Sequence, residues 1–378
     1  MQAPIIITRI ETFIYRAAVS KPVVSSLATI GERVALLIRV EDTDGAFGWG
    51  EVYATLPSHG AEHRAQILHR TIAPMIIGKP ITDIAACWQT LTLRMHSMSL
   101  QTGEPGPIGA VLAGLDCALW DLQARRSNLP LCRLLGAEPR DLPAYASGLN
   151  PADGPEVVRQ SRAAGFQAFK QKIGFDDAAD LANLAAIRQD MLVGEKLMVD
   201  VNQGWALDHA LLMAPKLERF DLAWVEEPLQ ADRPAPEWQR CAQAFTSPLA
   251  GGENLRADDF AQQMDWLGVV QPDVGKWGGV SGCLAVARSA LAAGRMYCPH
   301  WLGAGIGLMA SAHVLLAGGG PGMLEVDVNE NPLRELLAQP FPLLHDGALH
   351  ISTAAGIGVQ PDLERASAWL VGHQQTSR

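Results

Sequence analysis

Two hydrophobic rhythms divide the chain. Over residues 5–15, 34–40 and 46–53 apolar and polar positions follow a strand-like pattern, and the Asp- and Gly-containing stretch 42–45 supplies a turn, which predicts an antiparallel meander. From 59 to 135 the spacing becomes helical: Ile67, Leu68, Ile72 and Met75, and later Val111, Leu112, Leu115, Leu119 and Leu122, fall on one helix face. After residues 136–139 short apolar runs recur at 142–146, 168–172, 196–200, 223–226, 248–251, 268–271, 295–298 and 322–325. Amphipathic helical patterns such as 155–164, 177–191 and 208–217 lie between them. Strand and helix alternating at this spacing predict an α/β fold, a (β/α)8-type TIM barrel, behind a β-then-α module. The expected division is 1–128 for the first module, 129–350 for the barrel, and 351–378 for a C-terminal segment that folds back on the first module.

Size and charge narrow the partners. The chain has 378 residues, enough for a barrel and a second domain, with 48% hydrophobic and 19% charged residues, so a large core is expected. A net charge of −10 with no basic block excludes a nucleic-acid partner, and a small anionic substrate must then be attracted locally. The 6 cysteines form no CxxC pair and read as reduced, packed thiols. No apolar run is long enough to span a membrane, and the N-terminus carries no targeting pattern, so the sequence reads as a cytoplasmic enzyme without a membrane partner.

The chemistry sits at the ends of the apolar runs. Asp200, Glu226 and Glu253 close three successive predicted strands, and a closed barrel would bring these hard oxygen ligands within reach of one Mg2+ ion. A single strand-end carboxylate is ordinarily a helix cap or a lysine's partner; three at matched positions point to a metal site. Asn202 shares the parity of Asp200 and is placed to touch substrate, whereas Glu227 should point to the opposite face in a supporting role. Lys170 and Lys172 point together into the barrel mouth. Mutual repulsion should depress one of them, so Lys172 is expected to transfer the proton and Lys170 to hold a substrate carboxylate. Asp273 and His300 end adjacent predicted strands, where the carboxylate would fix the ring's tautomer. Lys276 is left between a functional and a merely neutralising role. Glu325, ending the eighth strand, would donate a hydrogen bond to a developing oxyanion if it stayed protonated.

Taken together, these residues resemble the mandelate racemase/muconate lactonizing enzyme family of the enolase superfamily. The likeness runs through Ala113-Gly114-Leu115-Asp116-Cys117-Ala118-Leu119-Trp120-Asp121 to Pro130 and Leu134-Leu135-Gly136. It continues in Lys170-x-Lys172, Asp200-x-Asn202, Glu226-Glu227-Pro228, Gly252-Glu253-Asn254 and the Pro272 to Gly279 segment. Asp273 with His300 opposite Lys172 resembles the mandelate racemase subgroup, and Glu325 matches its electrophilic glutamate. The resemblance implies an α+β capping domain over the barrel and Mg2+ on Asp200, Glu226 and Glu253. It also implies abstraction of the proton α to a carboxylate, giving a metal-stabilised enolate, and a symmetric homo-oligomer. Lid loops near 17–33 and 52–63 would set specificity. The first is apolar for a lid that binds many hydroxyls, and Trp277 and Trp301 would narrow the pocket if they faced inward. The leading expectation is β-elimination of water from a hydroxy-acid or sugar acid. The close rival is racemization or epimerization of a 2-hydroxy acid. A catalytically silent binding protein of the same fold is the reading from another class.

Overall fold

The computed structural model describes residues 3–26, 28–57, 59–257 and 259–378. The first module is built on β1 (Ile5–Val24), β2 (Thr29–Asp42) and β3 (Phe47–Val52), an antiparallel meander. The Asp42 carboxylate accepts the Asp44 and Ala46 N–H groups (3.0 and 2.9 Å), which closes the β2–β3 turn as the sequence predicts. A two-residue strand, β4 (Pro80–Ile81), pairs with the start of β1. Side chains of β1 and β2 are apolar on both faces. Ile10, Ile14, Leu36 and Ile38 pack under the helices Ile84–Thr102 and Pro105–Arg126, while Phe13, Tyr15, Ala35 and Leu37 join the core of the barrel.

Eight parallel strands follow: β5 (Leu142–Leu149), β6 (Ala168–Lys172), β7 (Lys196–Asp200), β8 (Val225–Glu226), β9 (Leu249–Gly251), β10 (Leu267–Val270), β11 (Met296–Tyr297) and β12 (Leu324–Asp327). Each pairs with the next from β5 to β11, and β12 pairs with β5 to close the ring. Between β11 and β12 no ladder forms among the described residues; the Met323 N–H reaches the Cys298 Sγ at 3.3 Å. One residue from each strand or the position flanking it fills the interior: Tyr145, Ala168, Met198, Trp224, Ala250, Val269, Cys298 and Met323. This apolar plug sits two residues below the charged ends, so the period of two stacks Lys170, Asp200 and Glu226 directly above it. The hairpin β13 (Leu344–His345) and β14 (Ala348–Leu349) caps the start of β5, and β15 (Leu370–Ser377) returns to pair antiparallel with β1.

The first expected lid loop is not a loop. β1 runs on to Val24 and β2 starts at Thr29, so the segment 17–33 is mostly a β-hairpin arm, with Leu27 at its tip outside the described residues. The arm docks on the barrel by polar contacts. Ser26 Oγ donates to the Asn202 carbonyl (2.7 Å), the Val24 N–H donates to Asn150 (3.1 Å), and Arg33 pairs with Asp327 (2.7 Å). Its apolar residues are ladder positions of a strand pair, which is why they read poorly as a substrate lid. The second expected lid, 52–63, ends in the helix Gly60–Ile67; Ser58 lies outside the described residues.

Two buried acids of the first module sit on barrel helices. Asp116 accepts from Ser281 N–H (2.8 Å) and hydroxyl (2.7 Å) at the start of the helix Gly279–Ala292. Glu51 accepts from Ala304 N–H (2.6 Å) and Gly307 N–H (2.9 Å) at the start of the helix Gly305–Gly318. Helix N-termini favour such acceptors. Burial nevertheless pushes the Glu51 carboxyl up to about 7, against the pull of those two N–H bonds. Because its unfolded value is about 4.3, Glu51 keeps its proton in the fold after the unfolded chain has lost it, so its contribution to stability is lost as pH rises from about 4 through 7. Glu51→Gln removes this titration. Relative to the wild type the variant is expected to gain on the order of 2 kcal/mol between pH 5 and 8 in urea unfolding. A difference independent of pH would contradict the buried protonated state.

Candidate active site

The strand ends turn sharply and leave the acids on the rim. Asn202, Gln203 and Glu227 take positive φ (48°, 64° and 40°), directly after β7 and β8. Gly252 does the same at φ 141°, and there a Cβ would lie 2.8 Å from the Gln271 nitrogen, so only glycine fits.

Lys170 is buried on the barrel axis. Its ammonium donates to both oxygens of Glu226 (2.7 and 2.8 Å) and to Glu325 (2.7 Å), with Asp200 at 3.9 Å. Burial alone would lower its pKa, yet Glu226 and Glu325 hold it well above the ordinary lysine value. Lys170 is therefore not the depressed member of the lysine pair, because its neighbours are carboxylates. Its three protons are also directed at carboxylate oxygens, which leaves none for a substrate in this arrangement. Lys172 lies one residue pair further out, donating to Asn202 Oδ1 (2.5 Å) and standing 3.5 Å from Asp200. Asn202 in turn donates to Asp200 through its amide (2.9 Å) and its backbone N–H (2.8 Å), so the two share a face as their spacing predicts.

On the other side, His300 Nδ1 bonds Asp273 Oδ2 at 2.7 Å, and its Nε2 stands 3.3 Å from Glu253. The other Asp273 oxygen accepts from the Gly275 and Lys276 N–H groups (2.7 and 3.0 Å). Burial works against charge on His300, but Glu253, Glu325 and the Asp273 bond raise its pKa to about 9. β6 and β10 are four strands apart in a ring of eight, so Lys172 and the Asp273–His300 pair stand on opposite sides of the mouth.

Asp200, Glu226 and Glu253 line one mouth, and among the described residues no three His, Cys, Asp or Glu side chains are drawn together into one cluster. Ammonium groups lie between them: Lys170 at Glu226, and Lys276 in a short ion pair with Glu253. In this arrangement the Glu325 oxygens are acceptors. Burial would raise the pKa of this carboxyl, but Lys170, His300 and the Ser147 hydroxyl (2.5 Å) lower it below the usual range, and the Trp301 N–H (2.9 Å) fills its other oxygen. Glu227 does not point away. Its left-handed backbone breaks the alternation, and burial with Glu253 and Asp200 nearby drives its pKa far up while Asn254 donates to it at 3.0 Å.

Lys276 belongs to the site through Glu253, and it lies over the Tyr53 ring at 4.7 Å. Trp277 lines the cavity beside it, whereas Trp301 is buried against Gly275 and Gly307 with its indole N–H on the Ala304 carbonyl (2.7 Å). Sequence reasoning missed Gln271, which donates to Glu226 at 2.7 Å, and Ser147. Gln271 precedes Asp273 by two and Ser147 follows the plug residue Tyr145 by two, so the same alternation would have found both.

Residues 9–136 match the mandelate racemase/muconate lactonizing enzyme N-terminal domain, and residues 155–366 match the enolase C-terminal domain-like family. The chain belongs to the mandelate racemase/muconate lactonizing enzyme family of the enolase superfamily. It is similar to a mandelate racemase/muconate lactonizing enzyme from Bordetella bronchiseptica RB50 (47% identity, TM-score 0.91, covering 97% of this chain and 99% of that one). A racemase from Streptomyces coelicolor A3(2), crystallised with bound magnesium, is 28% identical with a TM-score of 0.88 over 97% of this chain and 100% of its own. The L-talarate/galactarate dehydratase of Salmonella typhimurium is 32% identical over 279 residues, 71% of this chain and 68% of that protein. Its crystal structure holds Mg and L-lyxarohydroxamate, and its TM-score is 0.86 over 99% of this chain and 95% of that one. Among the described residues no helix is long and apolar enough to cross a membrane.

Proposed function

We propose that this protein removes the proton α to the carboxylate of a hydroxy-acid or sugar acid and then eliminates water from it. The observation that carries the reading is the placement of Lys172 across the barrel mouth from the Asp273–His300 pair, with buried acids between them. An α-carbon proton beside a carboxylate is weakly acidic, so a base on one side needs charge compensation for the oxygens and an acid for the leaving group.

Asp200, Glu226 and Glu253 are the residues that would hold Mg2+, and their hard oxygen donors suit it. The buried charge supports this: Glu226 is raised to about 7 by burial and by Asp200 and Glu325, a surplus of negative charge that a divalent cation would offset. Magnesium in two related structures points the same way. When bound, the ion supplies positive charge to the substrate carboxylate. Lys172, as the free amine, takes the α-proton, with Asn202 orienting it. Lys170 is the residue that would turn toward the substrate carboxylate once Glu226 has another cation; Glu325 keeps it on the axis. His300, held in its tautomer by Asp273 and charged at neutral pH, gives its Nε2 proton to the departing β-hydroxyl as the C–O bond breaks. The enol that remains becomes a 2-keto-3-deoxy acid.

The opposed groups equally favour a second reading, racemization or epimerization, in which His300 returns the proton to the other face. Incubation of the Mg2+-loaded protein with a library of acid sugars and 2-hydroxy acids separates the two. A 2-keto-3-deoxy product establishes elimination, and a change of optical rotation without keto product establishes racemization. Six free cysteines, five of them buried, support a cytoplasmic setting, and exposed Leu93 and Leu100 on one helix support a homo-oligomer.

A further inference from the structure

A cavity of about 210 Å³ opens at Glu253 and Lys276 and runs outward under the first module between Tyr53, Arg64, Arg256 and Trp277. Pockets that enclose a whole small molecule are usually about 300 to 1,000 Å³, so this one has the size for one end of a ligand. Its charges are unevenly matched. Lys276 is satisfied by Glu253. Arg64 is not: it is 5% exposed, donates only a long bond from Nη2 to the Leu56 carbonyl (3.3 Å), stands 5.9 Å from the Tyr53 ring centroid, and among the described residues its Nε and Nη1 have no hydrogen-bond partner. Arg256 is half-buried; Asp259 attracts its guanidinium, but among the described residues that group makes no hydrogen bond and no ion pair within 4 Å. Gly60 leaves the room for Arg64, because a Cβ there would lie 2.1 Å from Nη1.

Burying a guanidinium without a carboxylate partner is unfavourable, and a second cation on the same cavity adds repulsion. Fixed donors of this kind fit an oxyanion, which guanidinium groups grip in bidentate fashion. A hydroxyl-rich neutral end can accept their hydrogen bonds but leaves both charges without compensation. We propose that Arg64 and Arg256 form a subsite for a second anionic group at the far end of the substrate, which makes the substrate a diacid and not a monoacid. This deepens the proposed reaction and rests on it for the word substrate. A carboxylate and a phosphate monoester share the required chemistry.

The test compares binding by isothermal titration calorimetry of galactarate, galactonate and galactonate 6-phosphate, and of glucarate against gluconate, to the full-length Mg2+-loaded protein. The wild type is expected to bind an acid with the second charge about 10- to 100-fold more tightly than its monoacid partner. Arg64→Met and Arg256→Met should each cut that preference by about tenfold and leave monoacid binding unchanged. Arg256 is half-buried, so its variant tests the subsite even if Arg64→Met misfolds, and Arg64→Lys should restore part of the preference. Preference for galactarate assigns a carboxylate, and preference for the phosphate ester assigns a phosphate. No preference in either pair, or a preference that survives both methionine variants, overturns the subsite. α-Proton exchange in D2O is measured beside it: loss of exchange with the preference intact counts against the reaction and leaves the subsite standing, and the converse removes the subsite alone.

Discussion

Replacing Lys172 by alanine is expected to lower kcat/KM by about 10³-fold or more while the fold stays intact. Positioned general bases contribute roughly 10² to 10⁴ in rate, and the other lysine on that strand, Lys170, is kept on the axis by Glu325. The substitution leaves little strain behind. Asn202 keeps its bonds to Asp200, and Asp200 keeps Lys170 within 3.9 Å. Unchanged circular dichroism and melting, together with retained ligand binding, would locate the loss in the chemical step. Turnover within tenfold of the wild type would move the base elsewhere.

His300→Asn is expected to abolish formation of the keto product but not the first proton transfer. Among the described residues the imidazole is the only group bonded to Asp273 on its Oδ2, and its Nε2 side opens toward Glu253. Asparagine can keep the Asp273 contact but cannot deliver a proton, so kcat should fall by about 10² to 10⁴. Asp273→Asn should give a smaller loss, because the ring would lose its orientation and part of its charge while remaining an acid. Product formation that survives in His300→Asn would transfer the acid role to another group.

The parts of the site that a strand's period of two controls were legible in the sequence. Lys170, Lys172, Asp200 and Glu226 share parity above an apolar plug, and each faces the mouth as its spacing requires. Alternation stops where the backbone leaves the strand. Glu227 at positive φ and Lys276, which follows β10 by several residues, face the site against or outside that rule. Protonation was not legible either. Whether Glu325 is a donor depends on Lys170, Ser147 and the Trp301 N–H arriving from other strands, and nothing near Glu325 in the chain records them. The hairpin arm of β1 and β2 was read as a loop because its residues near the tip are mixed in character, while the ladder that defines it is a property of the pair. Arg64 and Arg256 carry no sequence signal. They come from a helix surface and a loop, and only the closure of the first module over the barrel brings them to one cavity.

Deuterium incorporation at the α-carbon, followed by NMR in Mg2+-containing D2O for a panel of sugar acids and 2-hydroxy acids, tests the opposed acid and base most directly. For the acid that the protein processes, His300→Asn should still exchange the α-proton, because Lys172 remains on its side while elimination is blocked. Lys172→Ala should leave that same proton in place. Exchange at that position in Lys172→Ala as fast as in His300→Asn, or no exchange of any acid by either the wild type or His300→Asn, would contradict the arrangement.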